Sequence, residues 1–301
     1  MADCLDSRRL ETFRAVAMAG RISEAARRLN LSQPAVTAQI RQLESATGRP
    51  LFTRHPHGVQ LTPAGRGLLD IANRMRGLME EAASRIASPE RPSGPLRLCA
   101  STTLAAYVLP SLLAEFAKHD RPAALALETA NTDQVLAWVR EGRFPLGLVE
   151  GLRRAPGLKL ELFLQDELLP VRAVKAPYAI RRAKRIQDLS ELPILRREPG
   201  SGTRAVVDAA LKKANPALAH REGDPVIGHT EGIKAAVLAG LGIAFLSPWS
   251  IRGELKRREL EILDLPGLRV PRAFSWVHPS GGLSGAAARF HRFAMEHPPR
   301  L

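Results

Sequence analysis

Apolar residues recur at helical spacing through the first 47 positions and then change rhythm. Leu10, Phe13, Val16 and Ala17 share one face of a helix expected from about Arg8 to Met18, and Gly20 closes it. A second helix is expected to begin at Ser23, whose hydroxyl would cap free backbone N–H groups, and to break at Asn30 after Ala25, Ala26 and Leu29. Ser32 caps a third, Pro34 fits its first turn, and Val36, Ile40 and Leu43 form its buried edge. The opposite edge displays Gln33, Pro34, Thr37, Ala38 and Arg41. Leu51-Phe52 and Val59-Gln60-Leu61 then flank a basic tip, Arg54-His55-Pro56-His57-Gly58, which is the pattern of a two-stranded wing.

From Pro63 to about Ala87 the chain reads as one long helix. Ala64, Leu68, Ile71, Met75, Leu78, Ala82 and Ile86 are spaced 4, 3, 4, 3, 4 and 4 apart, close to a heptad seam. A stripe this narrow suits pairing with a second copy, so residues 63–87 are expected to hold a dimer; the competing arrangement is a helix packed on its own domain. Residues 88–95, SPERPSGP, have a linker's composition. Beyond them short strands alternate with helices: Leu96–Ala100, Ala124–Thr129, Leu146–Val149, Ile194-Leu195, Val226-Ile227, Ile243–Leu246 and Phe274–Val277 as strands, with helices ending near Lys118, Glu141, Ala214, Ala239 and Glu296. Such alternation implies parallel sheets with helices on both faces, arranged as two small α/β lobes.

Length and composition fit this division. A chain of 301 residues exceeds the roughly 100 to 200 that one core usually organises, and 45% apolar with 25% charged residues is an ordinary globular balance. Cys4 and Cys99 lie far apart without metal-type spacing, so no disulfide framework and no metal site is expected. The start has no signal-like apolar run, and no window approaches the ~18 apolar residues of a membrane span, so a cytoplasmic protein without a membrane partner is expected. The net charge of +14 suits a polyanionic partner, yet residues 1–60 carry only +4 of it, so charge does not locate the contact.

The residues of the helix pair do locate one. Ser23 to Glu44, SEAARRLNLSQPAVTAQIRQLE, joins a short helix, a tight turn and a helix whose exposed N-terminal part is small or polar, the form that enters a DNA major groove. Gln33 can pair with a base edge, Pro34 can touch a thymine methyl, and Thr37 and Arg41 can reach bases or phosphates. Arg27 and Arg28 fit a solvated face. The C-terminal half offers a different chemistry. Ser101-Thr102-Thr103, Asn131-Thr132, Pro199-Gly200-Ser201-Gly202-Thr203-Arg204 and His229-Thr230-Glu231 all fall at helix starts after strands, where outward N–H groups and the helix dipole favour an anion. Each alone is an ordinary cap; together, at the carboxyl ends of successive strands, they suggest one cleft.

The chain resembles the LysR-type family of bacterial transcriptional regulators, through AARRLNLSQPAVTAQIRQLE, TGRPLFTRH and VQLTPAG in the first part. In the second part STT, NTDQVLAWVREGRFPLGLVEG, REPGSGTR and HTEGIKAAVLAGLGIAFLS look most like the branch that regulates carbon dioxide fixation and cysteine or sulfite metabolism. The resemblance implies an α/β fold with an all-α N-terminal part: a winged helix-turn-helix over residues 1–62, a dimerising linker helix over 63–87, a hinge over 88–95, and an effector domain over 96–301 with the fold of periplasmic binding proteins. Its two lobes would be about 96–168 with 270–301, and 169–269. DNA contacts are implied at Ser23, Ser32, Gln33, Pro34, Thr37, Arg41 and, on the wing, Arg54. A small anionic effector, with no cofactor, is implied at Ser101, Thr102, Thr103, Asn131, Thr132, Glu150, Ser201, Thr203 and Thr230; Glu150 enters on resemblance alone, since a carboxylate repels an anion. Partners implied are an inverted-repeat operator in double-stranded DNA, RNA polymerase, and further copies forming a homodimer and homotetramer. Two departures from the family pattern stand out: Pro145 before LGLVEG, and Pro170, which would interrupt a strand. No enzyme is expected, because neither a G-x-S-x-G elbow nor a G-x-x-x-x-G-K-[ST] loop occurs. A solute-binding protein fits only the second half, and an architectural DNA-binding protein without a ligand stays open.

Overall fold

Three helices, α1 (Ser7–Ala19), α2 (Ile22–Leu29) and α3 (Gln33–Thr47), fold over Phe13, Val16, Ala25, Ala26, Val36, Ile40 and Leu43 in the computed structural model. It describes residues 6–56, 58–87, 94–120, 122–151, 154–218 and 221–301; His57 of the expected wing tip and residues 88–93 of the expected linker lie outside these. Gly20 and Asn30 both adopt the left-handed conformation that ends a helix, at φ 64° and 52°. Ser32 accepts a hydrogen bond from the Ala35 N–H at 3.3 Å, as a cap should. Ser23 does not cap: α2 starts one residue earlier, behind Arg21, which leaves Ser23 exposed inside the first turn. The apolar Ile22, packed on the N-terminal core, draws the helix start back.

Strands β1 (Phe52–His55) and β2 (Gly58–Leu61) form the antiparallel wing. Its position is fixed from two sides. The Glu44 carboxylate accepts from the N–H groups of Leu51 (2.8 Å) and Phe52 (3.2 Å), and the Val59 N–H donates to the Gly20 carbonyl at 2.8 Å. Position 58 admits only glycine, since φ is +147° and a Cβ would meet the Gly20 carbonyl oxygen at 2.2 Å. Helix α4 (Pro63–Ala87) follows as one element. Leu69 and Ala72 are buried, whereas Ile71, Leu78 and Met79 on other sides stay more than half exposed, at 52%, 56% and 54%.

The remaining elements build two sheets. In chain order they are β3 (Leu96–Ser101), α5 (Thr102–Tyr107), α6 (Leu109–His119), β4 (Leu125–Ala130), α7 (Thr132–Arg140), β5 (Leu146–Glu150), β6 (Leu158–Glu167), β7 (Leu169–Ala173), α8 (Tyr178–Arg181), α9 (Gly202–Ala214), α10 (Thr230–Leu238), β8 (Ala244–Leu246), α11 (Pro248–Lys256), β9 (Leu260–Ile262), β10 (Pro271–Pro279) and α12 (Gly285–Glu296). The first sheet has order β4-β3-β5-β10-β6 and the second β8-β7-β9. On the first, α5, α6 and α12 bury Leu104, Leu112, Phe116 and Phe290 against Leu98, Leu148, Phe274 and Trp276.

The expectation of parallel sheets needs correction. Among the strands of the described residues, β3 pairs parallel with β4 and β5, whereas β10 is antiparallel to β5 and β6, and β7 is antiparallel to β8 and β9. The chain leaves the first sheet after β6 and returns to it as β10, and the two crossings lie side by side, with the Leu168 N–H donating to the Val270 carbonyl at 2.9 Å. A strand that returns this way must run opposite to its neighbour. Ile194-Leu195 and Val226-Ile227 contribute single parallel bridges, Ile194 to Ile243 and Arg196 to Val226, rather than strands. Pro170 does not interrupt β7: it pairs with Phe245, and its carbonyl accepts from the Leu263 N–H at 2.9 Å. β7 is the middle strand, but Pro170 is its second residue and turns its N and C=O toward the position just past the end of β9 at Ile262, so no bond within the ladder is lost.

Candidate DNA-binding face and effector cleft

The N-terminal unit presents one polar surface. Ser32, Gln33, Pro34 and Arg41 on α3 and Arg54 on β1 are exposed, and Thr37 is half-buried beside them. Thr37, Arg41 and Arg54 line one shallow depression with Glu44 and Ile22, so the helix and the wing bring their polar groups to the same place. Arg54 belongs to the strand, paired with Val59, rather than to the tip. Ser23 is exposed on the first turn of α2. Arg27 and Arg28 both pair with Glu24 on their own helix, Arg28 at 3.2 Å. That arrangement is a solvated face.

In the C-terminal half, the helix N-termini of the first sheet meet those of the second. Thr102 and Thr103, at the start of α5, lie 3.1 and 3.3 Å from the Thr230 hydroxyl at the start of α10. Asn131 caps α7 by accepting from the Gln134 N–H and reaches the Pro199 carbonyl at 3.4 Å, while Thr132 accepts from the Gly202 N–H at 3.2 Å. Ser201 caps α9. Gly202 follows it, and a Cβ there would stand 2.0 Å from the Glu150 carbonyl oxygen. Only a residue without a side chain allows this approach. Thr102, Thr103 and Thr230 thus meet at one place, while Asn131 and Thr132 meet the turn that carries Ser201.

Ser101 is the exception among the hydroxyls. It is buried, at 2% exposure, and its Oγ makes no hydrogen bond.

Two arginines that sequence reasoning missed set the electrostatics. Arg197, 3% exposed, donates through Nη1 to the hydroxyls of Thr102 (2.9 Å) and Thr230 (3.1 Å), and its Nε and Nη2 hold Glu198 at 2.8 and 3.0 Å. Arg272 on β10 has a fully buried side chain between Glu150 (3.1 Å) and Asp166 (2.7 Å), and donates to the Thr203 hydroxyl at 2.7 Å. The Thr203 hydroxyl in turn donates to Glu150 at 2.7 Å. Arg272 thus pairs with Glu150 but shares its single charge with Asp166, so the three groups together keep a net charge of −1. Both arginines had a signal in the sequence: Arg197 follows the apolar Ile194-Leu195 at the end where ligands collect, and Arg272 is a lone charge in the apolar run of β10.

A second device joins the lobes. Lys234 on α10 donates to the Tyr107 hydroxyl (2.8 Å) and the Ser250 carbonyl (3.0 Å) and pairs with Glu231 and Glu254, while Tyr107 bonds Glu231. Burial and the neighbouring Glu231 carboxylate push the Tyr107 hydroxyl up to about 12, so it stays protonated.

A winged helix-turn-helix followed by a long helix and a two-sheet domain with a polar contact zone defines a ligand-responsive DNA-binding regulator. Residues 7–66 match the bacterial regulatory helix-turn-helix protein model of the LysR family, and residues 89–299 match the LysR substrate binding domain. The chain is 33% identical over 270 residues to the regulator CysL of Bacillus subtilis, covering 89% of each. It is 35% identical over 266 residues to CbbR of Rhodospirillum rubrum, covering 88% of this chain and 87% of that one. Among solved structures, the regulatory domain of Synechocystis CcmR in complex with 2-PG superposes with a TM-score of 0.57 at 25% identity, over 67% of this chain and 96% of that one. This chain belongs to the LysR family of bacterial transcriptional regulators.

Proposed function

We propose that this regulator responds to a small anionic metabolite held at Arg197, where Ser101, Thr102, Thr103 and Thr230 converge. The observation that carries the reading is the buried Arg197 guanidinium, which spends two of its hydrogen bonds on threonine hydroxyls from the starts of two different helices, α5 and α10. An anion would replace the Thr102–Thr230 contact and take donors from both helix starts. Likeness to a domain solved with 2-PG, a phosphorylated carboxylate, supports the same chemistry. Asn131, Thr132, Ser201 and Thr203 border the zone, and Glu150 positions Thr203 rather than facing the ligand.

DNA binding follows from the α3 face. Gln33, Pro34, Thr37 and Arg41 read the major groove of an inverted-repeat operator, Ser23 and Ser32 meet backbone phosphate, and Arg54 holds the sugar–phosphate chain from the wing. A homodimer formed through α4, and pairing of dimers into a homotetramer, would set the two recognition helices about 34–36 Å apart. The working division is 1–62 for DNA, 63–87 for dimerisation, 88–95 as hinge and 96–301 for the effector, with lobes of 96–168 plus 270–301 and of 169–269. The protein acts in the cytoplasm with RNA polymerase as its downstream partner, needs no cofactor, and catalyses nothing.

The test is thermal melting of the full chain against 2-phosphoglycolate, sulfite, sulfate, thiosulfate and ribulose bisphosphate. A ligand at ~100 times its dissociation constant adds about 2.7 kcal/mol to the state that binds it. One compound should raise the melting temperature and lose its effect in Arg197→Met. A compound that stabilises wild type and Arg197→Met equally would place the effector elsewhere.

A further inference from the structure

On the first sheet, away from the cleft, three side chains from three elements converge: Glu161 on β6, His278 on β10 and His291 on α12. One ligating atom from each lies within 4.8 Å of the others. His278 is 3% exposed, and its Nδ1 sits 2.9 Å from the Pro279 carbonyl oxygen. A carbonyl only accepts, so Nδ1 carries the proton, and in the neutral ring Nε2 presents its lone pair toward Glu161 Oε1, 3.5 Å away. His291 Nε2 lies 3.0 Å from the other oxygen of the same carboxylate, shielded from solvent and without hydrogen-bond geometry. His278 Nε2, and His291 Nε2 in its Nδ1-protonated form, then turn lone pairs toward the Glu161 oxygens, an arrangement that a cation, or a proton on a ring, satisfies.

We propose that Glu161, His278 and His291 form a binding site for a divalent transition-metal ion of the zinc type. Two imidazoles and a carboxylate are the donors such an ion takes, with water completing the coordination. The Nδ1–H bond of His278 to a backbone carbonyl is the outer-shell support that fixes a metal-binding tautomer. Lys159 now pairs with Glu161, but its side chain is 58% exposed and free to swing into solvent when the ion enters. A bound ion would tie α12 to the sheet. The start of α12 in turn contacts the linker helix, where the Ser284 hydroxyl donates to the Arg74 carbonyl at 3.4 Å. The site therefore braces the end of the effector domain that meets α4.

The experiment uses the untagged full chain, stripped with a chelator and titrated with Co2+ and then Zn2+. One equivalent of Co2+ per chain should give a visible d–d band that Zn2+ displaces, and Zn2+ should raise the melting temperature. His291→Gln and Glu161→Gln should each weaken binding about 100-fold with unchanged far-UV circular dichroism, while His119→Gln, on the exposed face of α6, leaves it intact. Cu2+ gives an independent reading, because Trp276 lies 5.7 Å from the His291 ring. Its quenching of fluorescence should fall in Trp276→Phe and disappear in His291→Gln. No band at one equivalent, or a band that survives in His278→Gln/His291→Gln, would overturn the site and leave the cluster as a proton-bridged ion pair.

Discussion

Arg272→Met tests whether the buried charges between the lobes are a structural network. The Arg272 side chain is 0% exposed and lies between Glu150 and Asp166, whose side chains are 1% and 3% exposed. Methionine approximates the aliphatic part of arginine but leaves two carboxylates in a dry site. Removing one partner of a buried ion pair is unfavourable by about 3–5 kcal/mol. In a unit of roughly 200 residues each kcal/mol shifts the melting temperature by roughly 2–4 °C, so a drop of about 6–20 °C is expected. Calorimetric melts of the full chain would measure it. Asp166 keeps one donor, the Ser247 hydroxyl at 3.0 Å, which places the expected loss toward the lower end. In the double variant Arg272→Met/Glu150→Gln the losses should fall short of additivity by about 1–3 kcal/mol, because the second change removes a charge that the first left unpaired. A drop below about 2 °C, or strictly additive losses, would refute the idea that Arg272 pairs with Glu150.

Four other outcomes are expected. Gly202→Ala should destabilise by about 1–3 kcal/mol in urea melts despite alanine's better helix propensity, since its Cβ meets the Glu150 carbonyl; a stabilised variant would show that this contact yields. Desolvation raises the Asp70 carboxyl above the ordinary aspartate value, so the folded chain holds that proton more tightly than the unfolded one and stability falls as pH rises through the window above it. Asp70→Asn should accordingly melt higher than wild type at pH 7, with the gain vanishing below the unfolded aspartate value; an equal gain at acid pH would sink this reading. Leu78→Glu, on the exposed stripe of α4, should yield monomers by light scattering and weaken operator binding, and an intact dimer would place the interface elsewhere. Arg54→Ala should weaken binding to a duplex selected from a random library and flatten the salt dependence by about 0.9 in log–log slope; an unchanged slope would remove Arg54 from the phosphate contacts.

Local periodicity was enough to define the N-terminal unit. The spacing of Val36, Ile40 and Leu43, the cap at Ser32 and the break at Asn30 are short-range features, settled within a turn of helix, and the structure reproduces them. The long helix from Pro63 to Ala87 follows from the same logic. Ser23 marks the limit of that logic, because burial of Ile22 moved the helix start away from the better capping residue.

What the sequence determined by itself, then, was the N-terminal helices, the long helix, β3 to β5 with their helices, and the chemistry at helix starts: hydroxyls at Thr102, Ser201 and Thr230, glycines at Gly200 and Gly202; β6, β9 and α11 were not legible in it. Strand direction was decided only in three dimensions, because hydrophobic alternation is the same read either way, and β10 takes its direction from the return crossing beside β6. The partners of buried charges were decided there too. Glu150 and Arg272 stand 122 positions apart, and nothing in either local segment announces that one pairs with the other. Charge pairing depends on distance through the folded interior, and only the packing of β5 against β10 brings those two side chains within 3.1 Å.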